Sequence, residues 1–104
     1  MSQTKPALAP GMGAMLHRQG CSFRIWAPHA EAVFVTGSFN DWAENKTPMA
    51  REGEGYWSVD VRGAKVGDEY RFILVRGEQT FSRIDPWARV VTNSVGNAVI
   101  HDDD

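Results

Sequence analysis

The chain has 104 residues, 42% of them hydrophobic, with eleven Lys and Arg against thirteen Asp and Glu and a formal net charge of −2. That is one domain, large enough to bury a core without staples, and its basic residues are scattered singly, which argues against a nucleic-acid partner. No apolar run approaches membrane-span length, the N-terminus lacks a signal-peptide pattern, and the single cysteine, Cys21, rules out an internal disulfide, so the expectation is a soluble cytoplasmic protein with no membrane partner.

Residues 1–12 carry Pro6 and Pro10 among Ala and Gly and read as a flexible linker or tail, leaving 13–104 as the folded domain. A first short strand is predicted over 14–18, a turn at Gln19-Gly20, and a second strand over Ser22 to Trp26, stopped by Ala27-Pro28. Ala32 to Thr36 supplies the β-branched and aromatic residues of a third strand, which ends at Gly37-Ser38. The turn that follows, Phe39-Asn40-Asp41-Trp42, places two rings around residues whose side chains bond their own backbone. Phe39 is expected to fold back into the core; Trp42 is either a core ring or an exposed stacking surface.

Thr47 to Arg51 reads as an edge segment, because Pro48 cannot donate to a ladder, and Glu52 to Gly55 as a tight connection. Tyr56 to Val61 alternates, with Trp57, Val59 and Val61 on one face. After a turn over 63–68, Glu69 to Val75 returns with Tyr70, Phe72 and Leu74 on one side. A hairpin at 76–79 leads into Thr80 to Ile84, and Ala98 to Ile100 is the last predicted strand. No stretch of ten residues has a helical apolar period. Seven to eight short strands separated by turns predict an all-β fold, an immunoglobulin-like antiparallel β-sandwich without a deep cleft, its functional loops at one end or on one sheet face.

Catalytic chemistry is missing from this pattern. Glu52, Glu54 and the run Asp102-Asp103-Asp104 read as solvated charge, not as the paired carboxyl groups of a sugar-cleaving site. No serine occupies a nucleophile elbow and no glycine-rich loop precedes a helix. His17, His29 and His101 lack metal-ligand spacing, so no metal or cofactor is expected, and Cys21 reads as a small apolar filler.

Four segments carry a family likeness: Val33 to Trp42, Phe23-Arg24-Ile25-Trp26-Ala27-Pro28-His29-Ala30, Tyr70-Arg71-Phe72, and Asp85-Pro86-Trp87-Ala88. In order and spacing they resemble the N-terminal early-set domain of glycoside hydrolase family 13 enzymes, also called carbohydrate-binding module family 48, over about Gly13 to Ile100. The resemblance implies a non-catalytic module of a larger α-glucan-active enzyme, of the 1,4-α-glucan branching or α-amylase type. Such a module orients the catalytic barrel and holds glycogen or starch chains weakly. It also implies glucan-binding roles for Trp42, Arg71 and Asn97, and an interdomain contact at Asp85, Pro86 and Trp87, where Trp87 is alternatively a ring of the sandwich's own core. A second tryptophan that such modules carry in the hairpin after Gly77 is absent, and Phe81 is the one ring near that place. Stacking on one indole contributes about 1–2 kcal/mol and two polar partners about 1 kcal/mol each, whereas a millimolar affinity needs about 4 kcal/mol. Millimolar binding is therefore the ceiling. The alternatives are a purely structural interdomain module and a freestanding glycogen-targeting adaptor.

Overall fold

Alternating apolar residues fold the chain into two antiparallel sheets whose inner faces meet. The computed structural model describes residues 12–85 and 97–100, together with the backbone of 90–91. In chain order the strands are β1 (Gly13–His17), β2 (Gly20–Trp26), β3 (Ala32–Gly37), β4 (Ala50–Gly53), β5 (Tyr56–Arg62), β6 (Glu69–Arg76), β7 (Gln79–Arg83), β8 (Val90–Val91) and β9 (Ala98–Val99). One sheet runs β1-β2-β5-β4; the other runs β3-β6-β9-β8, with β7 also on β6. The expected β-sandwich is therefore what forms. Among the described residues, the one helical element is a single 3₁₀ turn at Ser38–Asn40.

The alternation read from the sequence sets the core. Phe23, Ile25 and Trp57 from the first sheet meet Val33, Val35, Tyr70 and Phe72 from the second, all buried. Tyr70 lies 4.8 Å from Phe23, ring centre to ring centre, and Phe72 packs edge-on against both, a geometry that favours aromatic pairs beyond the area they bury. Phe39 joins this cluster 5.5 Å from Phe23, as expected. Cys21 is buried too, and burial pushes its thiol up to about 12, so it is an inert filler rather than a reactive group.

Two details position the surface features. The segment 47–53 switches sheets: Thr47 accepts from the amide of Val35 and the amide of Met49 donates to Val33, both on β3, before Ala50 crosses to pair with β5. Pro48 falls between these bonded residues, opposite Phe34, where its missing N–H costs nothing. Strand β4 then continues through Glu52 and Gly53, which corrects the expected turn there. The second detail is at β6, where Glu69 and Tyr70 pair with β9 but Phe72 to Arg76 pair with β7. The partner changes at Arg71.

Candidate functional site

The turn after β3 is built by Asn40. Its Oδ1 accepts from the Gly37 amide (3.0 Å), and its Nδ2 donates to the Val35 carbonyl (3.2 Å) and Thr47 Oγ1 (2.9 Å). Gly37 is required for closeness: a Cβ there would stand 2.3 Å from the Glu69 carbonyl oxygen and 2.6 Å from the Phe39 ring. The chain then passes through two consecutive left-handed residues, Asp41 (φ 58°) and Trp42 (φ 60°), and the Trp42 amide closes back on the Gly37 carbonyl at 2.9 Å. Two such residues in succession are costly without glycine and persist because the surrounding bonds over-determine them. Trp42 is 39% exposed, so its ring lies at the surface and not in the core.

Arg71 stands beside this turn. It is the partner of Thr36 across β3 and β6, while Gly37, which anchors Trp42, is the partner of Tyr70. With Val33, Val35, Tyr70 and Phe72 directed inward, alternation turns Thr36, Glu69 and Arg71 to the outer face. Asn97, just before β9, reaches the same row: its Nδ2 donates to Glu69 Oε1 at 3.1 Å, and the residue is 8% exposed. Arg71 and Asn97 therefore share one end of the second sheet with the turn that carries Trp42, and Asn97 is held against Glu69. Thr36 and Glu69 belong to the same row and were missed. Their only sequence signal is the alternation of β3 and β6, which becomes informative once the two strands are known to pair. Among the described residues, Thr36 Oγ1 and Arg71 Nε are buried and find no hydrogen-bond partner.

Phe81 does not join this group. Its strand partner is Leu74, which packs on the core, so Phe81 occupies the opposite face of the sheet from Arg71. Register thus overturns its use as a stand-in for the missing tryptophan. Phe81 instead lines a largely apolar groove of about 680 Å³ at the other end of β6, with Ile25, Trp26, Leu74, Ile84, Arg76 and Arg83. Trp26 is 56% exposed and is held in place by its Nε1, which donates to the Glu54 carbonyl. The groove is a surface feature that the sequence reading did not foresee.

Asp85 follows Ile84 directly, yet its own side chain is buried and accepts from the Tyr70 hydroxyl at 2.5 Å. Burial, and then the Asp85 charge, push the Tyr70 phenol far above its ordinary range. Pro86 and Trp87 lie outside the described residues.

The chemistry at these places is binding chemistry. One further cluster, on the outer face of the first sheet, contains Ser22, His17 and Asp60, but Asp60 bridges the other two. The serine hydroxyl donates to a carboxylate and has no contact with the imidazole, so nothing withdraws its proton as a nucleophile requires. Among the described residues no group of three or more His, Cys, Asp or Glu is arranged to hold a metal, and no helix is long and apolar enough to cross a membrane.

Comparison with known proteins agrees with this geometry. Residues 11–88 match the family described as Carbohydrate-binding module 48 (Isoamylase N-terminal domain). The chain is 44% identical over 77 residues to the 1,4-alpha-glucan branching enzyme GlgB of Salinibacter ruber, covering 74% of this chain and 12% of that protein. It is 37% identical over 95 residues to the GlgB of Marinobacter nauticus, covering 86% and 15%. Among solved structures, the pullulanase of Paenibacillus barengoltzii in complex with maltohexaose and alpha-cyclodextrin superposes with a TM-score of 0.76 at 28% identity, covering 90% of this chain and 15% of that one. The chain thus spans about an eighth of the length of such relatives. By family match, fold and the four motifs in register, it belongs to carbohydrate-binding module family 48, the non-catalytic β-sandwich module of glycoside hydrolase family 13 enzymes.

Proposed function

We propose that this module holds an α-1,4-glucan chain weakly at the Trp42 end of its second sheet, and that it serves a glucan branching enzyme by orienting the catalytic barrel. The observation that carries the binding part is the strained turn that keeps Trp42 exposed beside Arg71. An indole face covers the apolar face of a glucose ring, and a guanidinium meets its hydroxyls. One platform with few polar partners supports an affinity of about millimolar, which suits guidance of a polymer rather than its capture. Relatives named as branching enzymes support the parent activity, and the maltohexaose and cyclodextrin complex of the pullulanase supports the ligand class. The orienting role draws support from the cation-rimmed groove next to Ile84 and Asp85, a surface of the aromatic and arginine composition that protein interfaces favour.

Amide chemical shifts of the 104-residue chain, followed during titration with maltoheptaose up to tens of millimolar, test the binding part. Shifts should cluster at residues 36–43 and 69–71, and Trp42→Ala or Arg71→Ala should abolish saturation while leaving the thermal midpoint within a few degrees. Absence of any shift at those residues would leave a purely interdomain role.

A further inference from the structure

Thr36 is the most deeply buried polar member of the outer row, 3% exposed, and its Oγ1 has no partner; directly across the strand pair, Arg71 Nε is also buried and unpartnered. Cross-strand partners on one face hold their Cβ atoms about 5 Å apart, so the two side chains are neighbours on the outer face although they do not hydrogen-bond each other. Leaving such atoms unsatisfied is destabilising. Native folds tolerate that where a ligand supplies the missing bonds.

From this we infer that Thr36 and Arg71 form a hydroxyl-reading pair, with Thr36 as a specificity-determining residue of the glucan site; the inference rests on the glucan reading above. One sugar hydroxyl satisfies both atoms, because it accepts from the Nε–H of Arg71 and donates to Thr36 Oγ1 at the same time. An anion does so less well, since the Glu69 carboxylate lies on the same face two residues along β6. Position favours access as well. Arg71 sits where β6 changes partner from β9 to β7, so its side chain borders a break in the sheet. Both atoms are buried in the free module, so binding requires the partly exposed, long-stemmed Arg71 side chain to shift and admit the ligand. A site that reads a hydroxyl at a buried polar pair discriminates against ligands lacking it more sharply than apolar stacking does.

The experiment compares maltoheptaose affinity of the wild-type 104-residue chain with Thr36→Val, which keeps the β-branched shape and removes the hydroxyl, and with Thr36→Ser, which keeps the hydroxyl. Thr36→Val should raise Kd about fivefold while the thermal midpoint holds or rises, because an unsatisfied buried hydroxyl has gone. Thr36→Ser should bind within about twofold of wild type. In an Arg71→Lys background, where the Nε donor is missing, the valine substitution should have no further effect. Should Thr36→Val fail to fold, Thr36→Ala carries the same test. Wild-type affinity in the hydroxyl-deleted variant, or equal weakening by Val and Ser, overturns the pair and leaves the Trp42 site standing. No binding by wild type at tens of millimolar overturns both.

Discussion

Asn40 ties the turn after β3 to two separate segments of the chain. Its amide spans three partners on two segments, Gly37 and Val35 at the end of β3 and Thr47 on the returning chain, and so holds the left-handed pair Asp41 and Trp42 in place. A β-turn of ordinary sequence would relax to negative φ and redirect the indole. Asn40→Ala removes all three bonds and leaves a backbone amide and carbonyl without their partner, so a loss of about 2–3 kcal/mol is expected in urea unfolding. The same variant should lose the maltoheptaose-induced shifts while keeping the far-ultraviolet circular dichroism of the sandwich. The Asx-type bonding of this turn was legible in the sequence, because Asn and Asp after a strand end commonly bond their own backbone. The bond to Thr47 was not, since it joins residues whose proximity depends on the sheet switch at 47–53.

At the scale of the strand, the outer face of the first sheet is organised by a charged pair. Arg24 on β2 donates to Glu52 on β4 at 2.8 and 3.0 Å and lies over the Tyr56 ring of β5 at 4.5 Å, so one guanidinium ties three strands. Its hydrogen bonds hold the Glu52 carboxyl below the usual carboxylate value of 4.5. Because the folded-state pKa is the lower one, the contribution of Glu52 is complete above the unfolded carboxylate range and is lost as pH falls through the folded value. Thermal melts should therefore show a midpoint that declines on acidification below about pH 4.5, and Glu52→Gln should make that decline shallower by lowering the midpoint at pH 7 while changing little at low pH, where the carboxyl is already neutral. An unaltered slope in the variant would remove the pair from the acid response. Glu52 read as solvated charge in a turn because a Glu-Gly-Glu-Gly run signals a connection. Pairing with β5, which no local signal announces, extends the strand through it.

For the whole molecule, the proposed function assigns a role to each of two surfaces along β6. One end carries Trp42, Thr36 and Arg71; the other carries the groove of Trp26, Phe81 and Ile84 rimmed by Arg76 and Arg83. A module that guides a flexible polymer toward a catalytic domain needs such a division, with ligand and partner surfaces that do not compete. Phe81 and Ile84 are 41% and 37% exposed, so the double substitution Phe81→Ser, Ile84→Ser should shift the thermal midpoint of the 104-residue chain by only a few degrees. In the longer branching-enzyme polypeptide proposed as its parent, the same change should lower the midpoint clearly more and raise protease sensitivity at the module junction. Equal effects in both settings would argue against the groove as the docking face.

The β-sandwich was legible because period-two alternation in Val33 to Thr36, Tyr56 to Val61 and Glu69 to Val75 leaves one apolar face per strand, and such faces have no stable arrangement except against each other. The motifs were legible because turn chemistry is local, and they carried the family with them. Which outer-face residues share a site was a different matter. Thr36 and Arg71 are 35 positions apart and become neighbours only through the β3–β6 register; the β6–β7 register, in turn, puts Phe81 on the opposite face. The sequence by itself determined the fold class, the family and the identity of the turn. Only the tertiary structure decided what the surface presents, since strand pairing brings together side chains on which local sequence places no constraint.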